Sequence, residues 1–528
     1  MNQQARFEFL ASAVVTVLAV TASSPALFGA DPIPVAPAKM PRIGAVDERF
    51  QSFNVEMVEV TGGRFWAPYK SAAAPQAAPA AKLSTPGIDP AAFRMRPPIG
   101  LANPRLRKLA AALGPAYVRV SGTWANSTYF HDSDAPAPAA PPAGFGGVLT
   151  RPQWRGVVDF SRAVNAKIVT SFTISEGVRD AKGVWTPDQA RKFLAFTKSA
   201  GGSIAAAEFF NEPTVPSLGG APKGYDAAAY GRDFKVFLPF ARKTAPEMLI
   251  LGPGSVGEGS SIVGGMSIVK SEDMLTASGP GLDAFSYHFY PAVSQRCAQF
   301  GAAMQTTAQA ALSQDWLSRP DRDAAFYSAL RDRFAPGKPL WLTETAEAAC
   351  GGNPWAASFI DSFRYLDQLG RLAKRGVQVV AHNTLASSDY GLIDEATLTP
   401  RPNYWSALLW HNLMGRTVLD AGPSPAAAVH LYAHCLRDQP GGVALLAINA
   451  DREASHDLAA TLPSSRYTLT ARELLGYSVE LNGSELKLGA QDALPKMTGK
   501  PAPAGQVTLA PASITFLAFS NAGNASCR

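Results

Sequence analysis

No Cys-x-x-Cys pair occurs in this chain, and 7 histidines and 4 cysteines are its whole stock of imidazole and thiol groups across 528 residues. That scarcity argues against a multi-metal enzyme. One His-x-x-x-His spacing exists, His430 to His434, without the glutamate of the zinc-protease motif. It falls in an expected strand, where four residues span roughly 13 Å, too far for two ligands of one metal. No Gly-x-Ser-x-Gly elbow stands beside triad partners, and no glycine-rich phosphate loop follows the first strand. Charge is sparse as well: 17% of residues are charged, against a usual quarter. Lys plus Arg number 48 and Asp plus Glu 42, a net +6. So thin a surplus argues against a dedicated nucleic-acid binder and leaves a modest attraction for anionic ligands. Apolar residues are plentiful at 47%, which excludes a disordered or collagen-like chain.

Residues 1–30 read as an export signal: Arg6 supplies the positive start, Phe9 to Ala22 the apolar stretch, and small residues follow to Gly29-Ala30. An uncleaved anchor is the competing reading. No other segment reaches 18 apolar residues, so a secreted or periplasmic protein is expected, with no membrane association beyond that segment. Export permits disulfides. Cys435 and Cys527 bracket the last hundred residues, and Cys297 and Cys350 fall in loops placed below on one rim; spacing alone leaves three pairings open. Two Ala/Pro stretches, 71–81 and 135–144, cannot build a core and read as exposed loops. Asn126-Ser-Thr, Asn482-Gly-Ser and Asn524-Ala-Ser are glycosylation acceptors in a host that uses them.

Eight short β-rich runs recur: 51–59, 117–122, 167–173, 205–212, 249–255, 284–290, 339–345 and 378–385. Helical stretches sit between most of them. Asn103-Pro104 opens one as N-cap and first residue, and Gly114 closes it. Thr186-Pro-Asp-Gln189 reads as a capping box and Gly201 as that helix's stop. Asn353-Pro354 reads as the opening of a long helix whose apolar residues Phe359, Ile360, Phe363, Leu366 and Leu369 recur at helical spacing. Near-continuous apolar runs such as Ile168-Val-Thr-Ser-Phe suit strands buried on both faces. Eight such units predict a (β/α)8 barrel over 47–415. Past 416 the texture changes to short strands and Gly, Pro and Asn turns (429–434, 442–450, 467–472, 478–481, 506–509, 514–520), predicting a β-sandwich over 416–528, with a possible extra strand from 35–46.

In a barrel, chemistry sits where strands end. The fourth run ends in Phe210-Asn211-Glu212-Pro213 and the seventh in Trp341-Leu342-Thr343-Glu344-Thr345. Two carboxyls on one rim suit retaining glycoside hydrolysis, in which a protonated acid serves the leaving oxygen and a carboxylate attacks the anomeric carbon. His288 and Tyr290 end the sixth run, where a tyrosine hydroxyl can bond the Glu344 carboxylate. Glu56 and Thr123 are placed to meet sugar hydroxyls. Gly351 and Gly352 can present backbone N–H groups to a carboxylate. Trp124, Trp185 and Trp405 are either sugar-stacking faces or core, core being the commoner fate.

These blocks resemble glycoside hydrolase family 79, the heparanase and β-glucuronidase family of the retaining clan A barrels. Phe53-Asn-Val-Glu56, Asn103-Pro-Arg-Leu-Arg-Lys-Leu109 and Tyr117-Val-Arg-Val-Ser-Gly-Thr123 are similar to its opening strands and first helix. Phe210-Asn-Glu-Pro213 is similar to its acid/base motif, and Trp341-Leu-Thr-Glu344 with Gly351-Gly352 to its nucleophile strand and diglycine. Ser388-Asp-Tyr-Gly-Leu-Ile-Asp394 and Pro402-Asn-Tyr-Trp405 resemble its eighth-strand tyrosine and following helix. The resemblance implies Glu212 as acid/base, Glu344 as nucleophile oriented by Tyr290, and Asn211 on the sugar 2-hydroxyl. It further implies Tyr390 with the Gly351 and Gly352 amides on a uronate carboxylate, a Cys435–Cys527 disulfide, and neither metal nor cofactor. The substrate implied is a β-linked glucuronide, either a small one or a heparan sulfate-like saccharide. A clan A enzyme for a neutral sugar and a non-enzymatic carbohydrate-binding protein are the alternatives. Two departures stand out. The 135–144 stretch is far shorter than the linker excised from mammalian heparanase, so an uncut active chain is expected. Strongly basic heparan-binding segments are also not evident, leaving Arg296 and Lys270 as candidates. Glu347 is a further carboxyl with no clear family counterpart.

Overall fold

Strands that read as continuous apolar runs have no solvent face, and closing them on themselves beneath a coat of helices buries both sides. The computed structural model, which describes residues 32–69, 89–259, 268–424 and 426–528, has this architecture. Its eight parallel strands are β1 (Gln51–Glu56), β2 (Ala116–Ser121), β3 (Ala166–Ser171), β4 (Ile204–Glu208), β5 (Leu249–Val256), β6 (Ala284–Phe289), β7 (Leu340–Thr345) and β8 (Val377–His382). They pair in sequence order and β8 closes on β1. A helix follows each strand, from Pro104–Ala111 after β1 to Pro402–Leu413 after β8. The barrel floor is apolar: Tyr117, Val169, Ala206, Leu251, Ala284, Trp341 and Val379, one from each of seven strands, pack into one cluster. The polar groups lie above it, toward the strands' C-terminal ends.

Several local expectations shift. β1 stops at Glu56, which caps the short helix Met57–Thr61 in a reciprocal capping box with Glu59. β4 stops at Glu208, so Asn211 and Glu212 lie in the loop beyond it, and β8 stops at His382. Asn103 caps its helix as expected, accepting from the Arg105 and Leu106 N–H groups. The Thr186 capping box does not form. That helix begins at Asp188, Thr186 Oγ1 donates to Val178 O, and Gln189 Oε1 accepts from Phe130 N instead. Nor does Asn353-Pro354 open a helix: Ile360–Lys374 starts seven residues later, because the Asn353 side chain is engaged by Glu347 and the Gln295 N–H. The signal segment and the 71–81 stretch lie outside the described residues. The 135–144 stretch is a largely exposed loop between two paired short strands, Thr128–His131 and Gly147–Thr150.

Helix Pro402–Leu413 runs directly into strand Met414–Leu419, part of a nine-stranded sheet that also takes Arg42–Ala45 from before the barrel. Alternation along three of its strands explains the packing. Tyr432, Leu446, Ile448 and Phe516 join the barrel's core, while Leu431, Ala433, Leu445, Ala447 and Leu517 face a three-stranded sheet of Ile33–Val35, His456–Ala460 and Gly505–Leu509. His430 and Tyr432 reach the barrel helix at Asp367, 2.5 and 2.7 Å away. His434 bonds Gly415 O, so the two histidines hold separate partners. Cys435–Cys527 and Cys297–Cys350 are both disulfides. Asn126 and Asn524 are buried with their amide nitrogens donating to backbone carbonyls, which closes both as glycosylation acceptors in the folded chain. Among the described residues no helix is long and apolar enough to cross a membrane.

Leu446 is fully buried where the sheet meets the barrel, whereas Leu475 is 52% exposed. Leu446→Ala is therefore expected to cost about 2–5 kcal/mol in denaturant unfolding, and Leu475→Ala no more than about 0.5 kcal/mol.

Candidate active site

The lumen above the apolar floor is organised by one arginine. Arg119, in the middle of β2, is 1% exposed. Its Nη1 donates to Glu344 Oε2 at 2.7 Å, its Nη2 to Glu208 Oε2 at 2.8 Å and to Asn211 Oδ1 at 2.7 Å. Thr343 Oγ1 donates to the other Glu208 oxygen at 2.6 Å. A buried charge survives only when paired and hydrogen-bonded, and both conditions hold here. Burial works against the charge of each partner, but Arg119 with its neighbours holds Glu208 well below the usual carboxylate range, and Glu208 and Glu344 raise Arg119 above its own.

Strict alternation would send Thr343 and Glu344 to opposite faces of β7. Register shifts occur beside them, between Leu342 and Thr345 against β8 and between Tyr287 and His288 against β6. Such irregularities re-aim side chains, and here both residues reach partners in the lumen. Tyr290, one residue past β6, donates to Glu344 Oε1 at 2.7 Å, so each Glu344 oxygen accepts a hydrogen bond. Glu212, at φ 51° beyond β4 with its side chain 17% exposed, lies opposite. His288 stands between: Nδ1 is 3.1 Å from Glu212 Oε1 and 3.7 Å from Glu344 Oε2, and Nε2 is 3.7 Å from Glu208 Oε1. The carboxylate and imidazole ligand atoms of Glu212, His288 and Glu344 all fall within 4.8 Å of one another.

Burial disfavours a charge on His288, but Glu344 and the bonds to Glu208 and Glu212 outweigh it and lift its pKa to about 9. The triangle has metal-like spacing, and His288 Nε2 also lies 3.1 Å from Arg119 Nη2. The Glu212 carboxyl is raised above its ordinary value, first by burial; His288 opposes the shift and the nearby Glu344 charge reinforces it. One carboxyl poised to hold a proton faces one tied by two donors, the division of labour that two-carboxyl glycoside chemistry needs.

A second cluster lies beside Glu344. Glu56 is buried with Oε2 lacking a partner among the described residues, and its pKa is raised strongly by burial and then by Glu344. Gly122, at φ 86°, makes room for it: a Cβ there would overlap that oxygen. Asn383 Nδ2 donates to the Tyr290 hydroxyl at 3.0 Å and the Tyr390 hydroxyl at 3.3 Å. Gly351 and Gly352 hold φ of 83° and 81°, a region side chains avoid, and a Cβ on Gly352 would sit 3.2 Å from Tyr390 Cβ. Neither glycine's N–H has a partner among the described residues. The structure thus brings Asn211, Glu212, His288, Tyr290 and Glu344 into one network, with Glu56, Tyr390 and the diglycine alongside. Thr123 is half-buried at the start of the turn past β2.

Trp185 and Trp405 are 2% exposed core residues, the commoner fate expected of them, and of the three Trp124 is the one at the rim, edge-on to Phe65. Arg296 is no free cation for a polyanion: it pairs with Asp389 at 3.0 Å and covers the Tyr69 ring at 4.0 Å. Lys270 is exposed at the start of helix Ser271–Ser278. Arg119, Glu208 and Asn383 were not singled out, and Asn126, whose amide clamps the Asn211 backbone at 2.8 Å through both its donor and its acceptor, was read only as a glycosylation acceptor. A charge inside each of two otherwise apolar strands was the available signal for Arg119 and Glu208, since burial on both faces demands a partner.

No protein-family model matches the chain. The fold is that of the (β/α)8 glycosidases: a family 51 arabinofuranosidase from Xanthomonas axonopodis pv. citri superposes with TM-score 0.59 at 16% identity, covering 91% of this chain and 97% of that one. By sequence the chain is similar to heparanase-like protein 1 of Arabidopsis thaliana, 27% identical over 67% of this chain and 65% of that protein, just under two thirds of its length. It is similar as well to heparanase of Mus musculus, 27% identical over 81% of this chain and 88% of that one. A shorter match, 33% identical over 30% of this chain and 31% of the relative, is to baicalin-β-D-glucuronidase of Scutellaria baicalensis.

Because His288 holds Glu212 below where burial alone would put it, His288→Ala is expected to move the Glu212 titration upward. Carbon-13 NMR of the glutamate carboxyls tests this; an unmoved or lowered midpoint contradicts the electrostatics described.

Proposed function

We propose that this chain is a retaining glycoside hydrolase that cleaves β-linked glucuronic acid. The observation that carries the reading is the opposed Glu212–Glu344 pair, one oxygen of each carboxyl lying within 4.8 Å of the other, in keeping with the roughly 5–5.5 Å between carboxyls in retaining enzymes rather than the 6.5–9.5 Å that leaves room for an inverting water. The names of the heparanase and glucuronidase relatives support the substrate class, as does the resemblance in the diglycine and Tyr390 blocks.

In the first step a Glu344 oxygen attacks the anomeric carbon while protonated Glu212 gives its proton to the glycosidic oxygen. The aglycone leaves as an alcohol and a glycosyl ester forms on Glu344. That ester carries no negative charge, so the repulsion that favoured a proton on Glu212 is removed, and Glu212, having given its proton up, stays ionised and able to accept one. It then takes a proton from water as the water attacks the same carbon, releasing Glu344 with net retention. Tyr290 and Arg119 hold the nucleophile's two oxygens and thereby its line of attack. Asn211, fixed by Arg119 and by the Asn126 clamp, is offered to the sugar 2-hydroxyl. The Tyr390 hydroxyl and the two glycine N–H groups are offered to the uronate. Both cysteine pairs are disulfides, which suits folding in an oxidising compartment and supports the reading of residues 1–30 as an export segment.

Glu344→Ala should reduce hydrolysis of p-nitrophenyl β-glucuronide by a thousandfold or more, on the order expected when a nucleophile is lost, while the fold persists. Azide should restore turnover and give the α-azide. Near-normal activity without azide would end the assignment. Tyr390→Phe should raise KM for the glucuronide and leave a neutral aryl glycoside unaffected; equal loss on both substrates would instead favour a neutral-sugar enzyme.

A further inference from the structure

Glu347 is buried, lies three residues past Glu344, and is unused in the steps above. Both of its oxygens point to one residue: Oε2 accepts from Asn353 N at 2.8 Å and Oε1 from Asn353 Nδ2 at 3.0 Å. This bidentate clasp closes the segment 347–353 on itself, and Gly351 and Gly352 lie inside the closure. The same segment is fastened sideways to the loop after β6. Ala349 pairs with Val293 in a parallel bridge, and Ala349 N donates to Ala292 O at 2.9 Å. Ser294 N donates to Ala349 O and Ser294 Oγ to Cys350 O, both at 3.0 Å. Asn353 Oδ1 accepts from Gln295 N at 3.0 Å, and Cys297–Cys350 joins the loops covalently.

A loop that must offer two N–H groups with left-handed backbone at both residues has no helix or strand to hold it. A binding group held by its own clasp loses less freedom when the ligand arrives, which is how preorganisation raises affinity. Here the clasp uses a buried carboxyl that no other part of the site employs. Burial, reinforced by Asp361, raises the Glu347 pKa to about 7, while the Asn353 donors oppose the shift. A carboxyl so disfavoured in its charged form adds little stability that an apolar residue could not supply, so its place is better explained by the geometry it imposes.

We propose that Glu347, through Asn353 and alongside the Cys297–Cys350 link, is a positioning residue that holds the Gly351–Gly352 amides ready for the substrate's carboxylate, and so sets selectivity for uronides over neutral sugars. The inference rests on the uronide reading above. Losing the clasp should weaken ground-state recognition of one substrate group without disturbing Glu344, Tyr290 or Arg119.

The test compares Glu347→Ala, Glu347→Gln and Asn353→Ala with the unaltered chain on p-nitrophenyl β-glucuronide and on the uncharged p-nitrophenyl β-glucoside. For the alanine variants KM on the glucuronide should rise about tenfold or more, the cost of one charge-assisted hydrogen bond, with kcat within about threefold and kcat/KM on the glucoside unchanged. Glu347→Gln, which keeps one acceptor, should fall between. Equal losses on both substrates, or an unchanged glucuronide KM in folded variants, overturn the inference. If the unaltered chain does not prefer the glucuronide, the uronide reading itself fails and the inference with it. Should Glu347→Ala fail to fold, Asn353→Ala, which leaves the carboxyl in place, decides the matter.

Discussion

The site depends on one buried arginine. Arg119 rises through the apolar barrel floor into a layer where Glu208, Glu344 and Asn211 all accept from it. Two unit charges about 4 Å apart attract by roughly 4 kcal/mol at an effective dielectric near 20, while stripping each of water costs several kcal/mol. The balance closes only because every lobe of the guanidinium and most carboxylate oxygens are hydrogen-bonded. That requirement ties the side chains of this layer to one another. Glu344 cannot swing away without stranding Arg119, and Arg119 cannot move without stranding Glu208. Fixed dipoles and charges that need no reorganisation during reaction are the usual source of electrostatic catalysis.

Charge is also rationed across this layer. With His288 protonated, Arg119 and His288 balance Glu208 and Glu344, which leaves Glu212 free to hold a proton beside an otherwise neutral cluster. Glu56 and Glu59, both raised by burial, add no further negative charge while protonated. A carboxyl whose charged form is disfavoured thus stands within reach of one held by two donors, Arg119 and Tyr290.

Around this centre, rigidity comes from two different sources. The large sheet beyond Met414 is buried on both faces, one against the barrel helices and one against the small sheet, so the two parts of the chain share a continuous core. The rim loops have no such backing. They are held by side chains and covalent links instead: the Asn126 amide on Asn211, the Glu347–Asn353 clasp, the Arg296–Asp389 pair and the Cys297–Cys350 disulfide.

Composition and periodicity determined the architecture. Eight apolar runs with helical spacers admit few folds other than a barrel, and alternating patterning past 416 admits little but sheet. The two motif glutamates were legible because Glu344 stands at the end of β7 and Asn211-Glu212 in the loop just past β4, where a barrel places its chemistry. Local punctuation was less reliable: Thr186 and Asn353 look like helix caps, yet tertiary partners claimed both side chains, because a polar group bonds whatever the fold brings nearest. Only the tertiary structure decided that Arg119 and Glu208, 89 positions apart, form one ion pair, that bulged register turns Glu344 inward beside Thr343, and that Glu347 closes the diglycine loop. Each of these is a contact across the barrel or around a loop, and periodicity along a chain carries no record of what lies opposite.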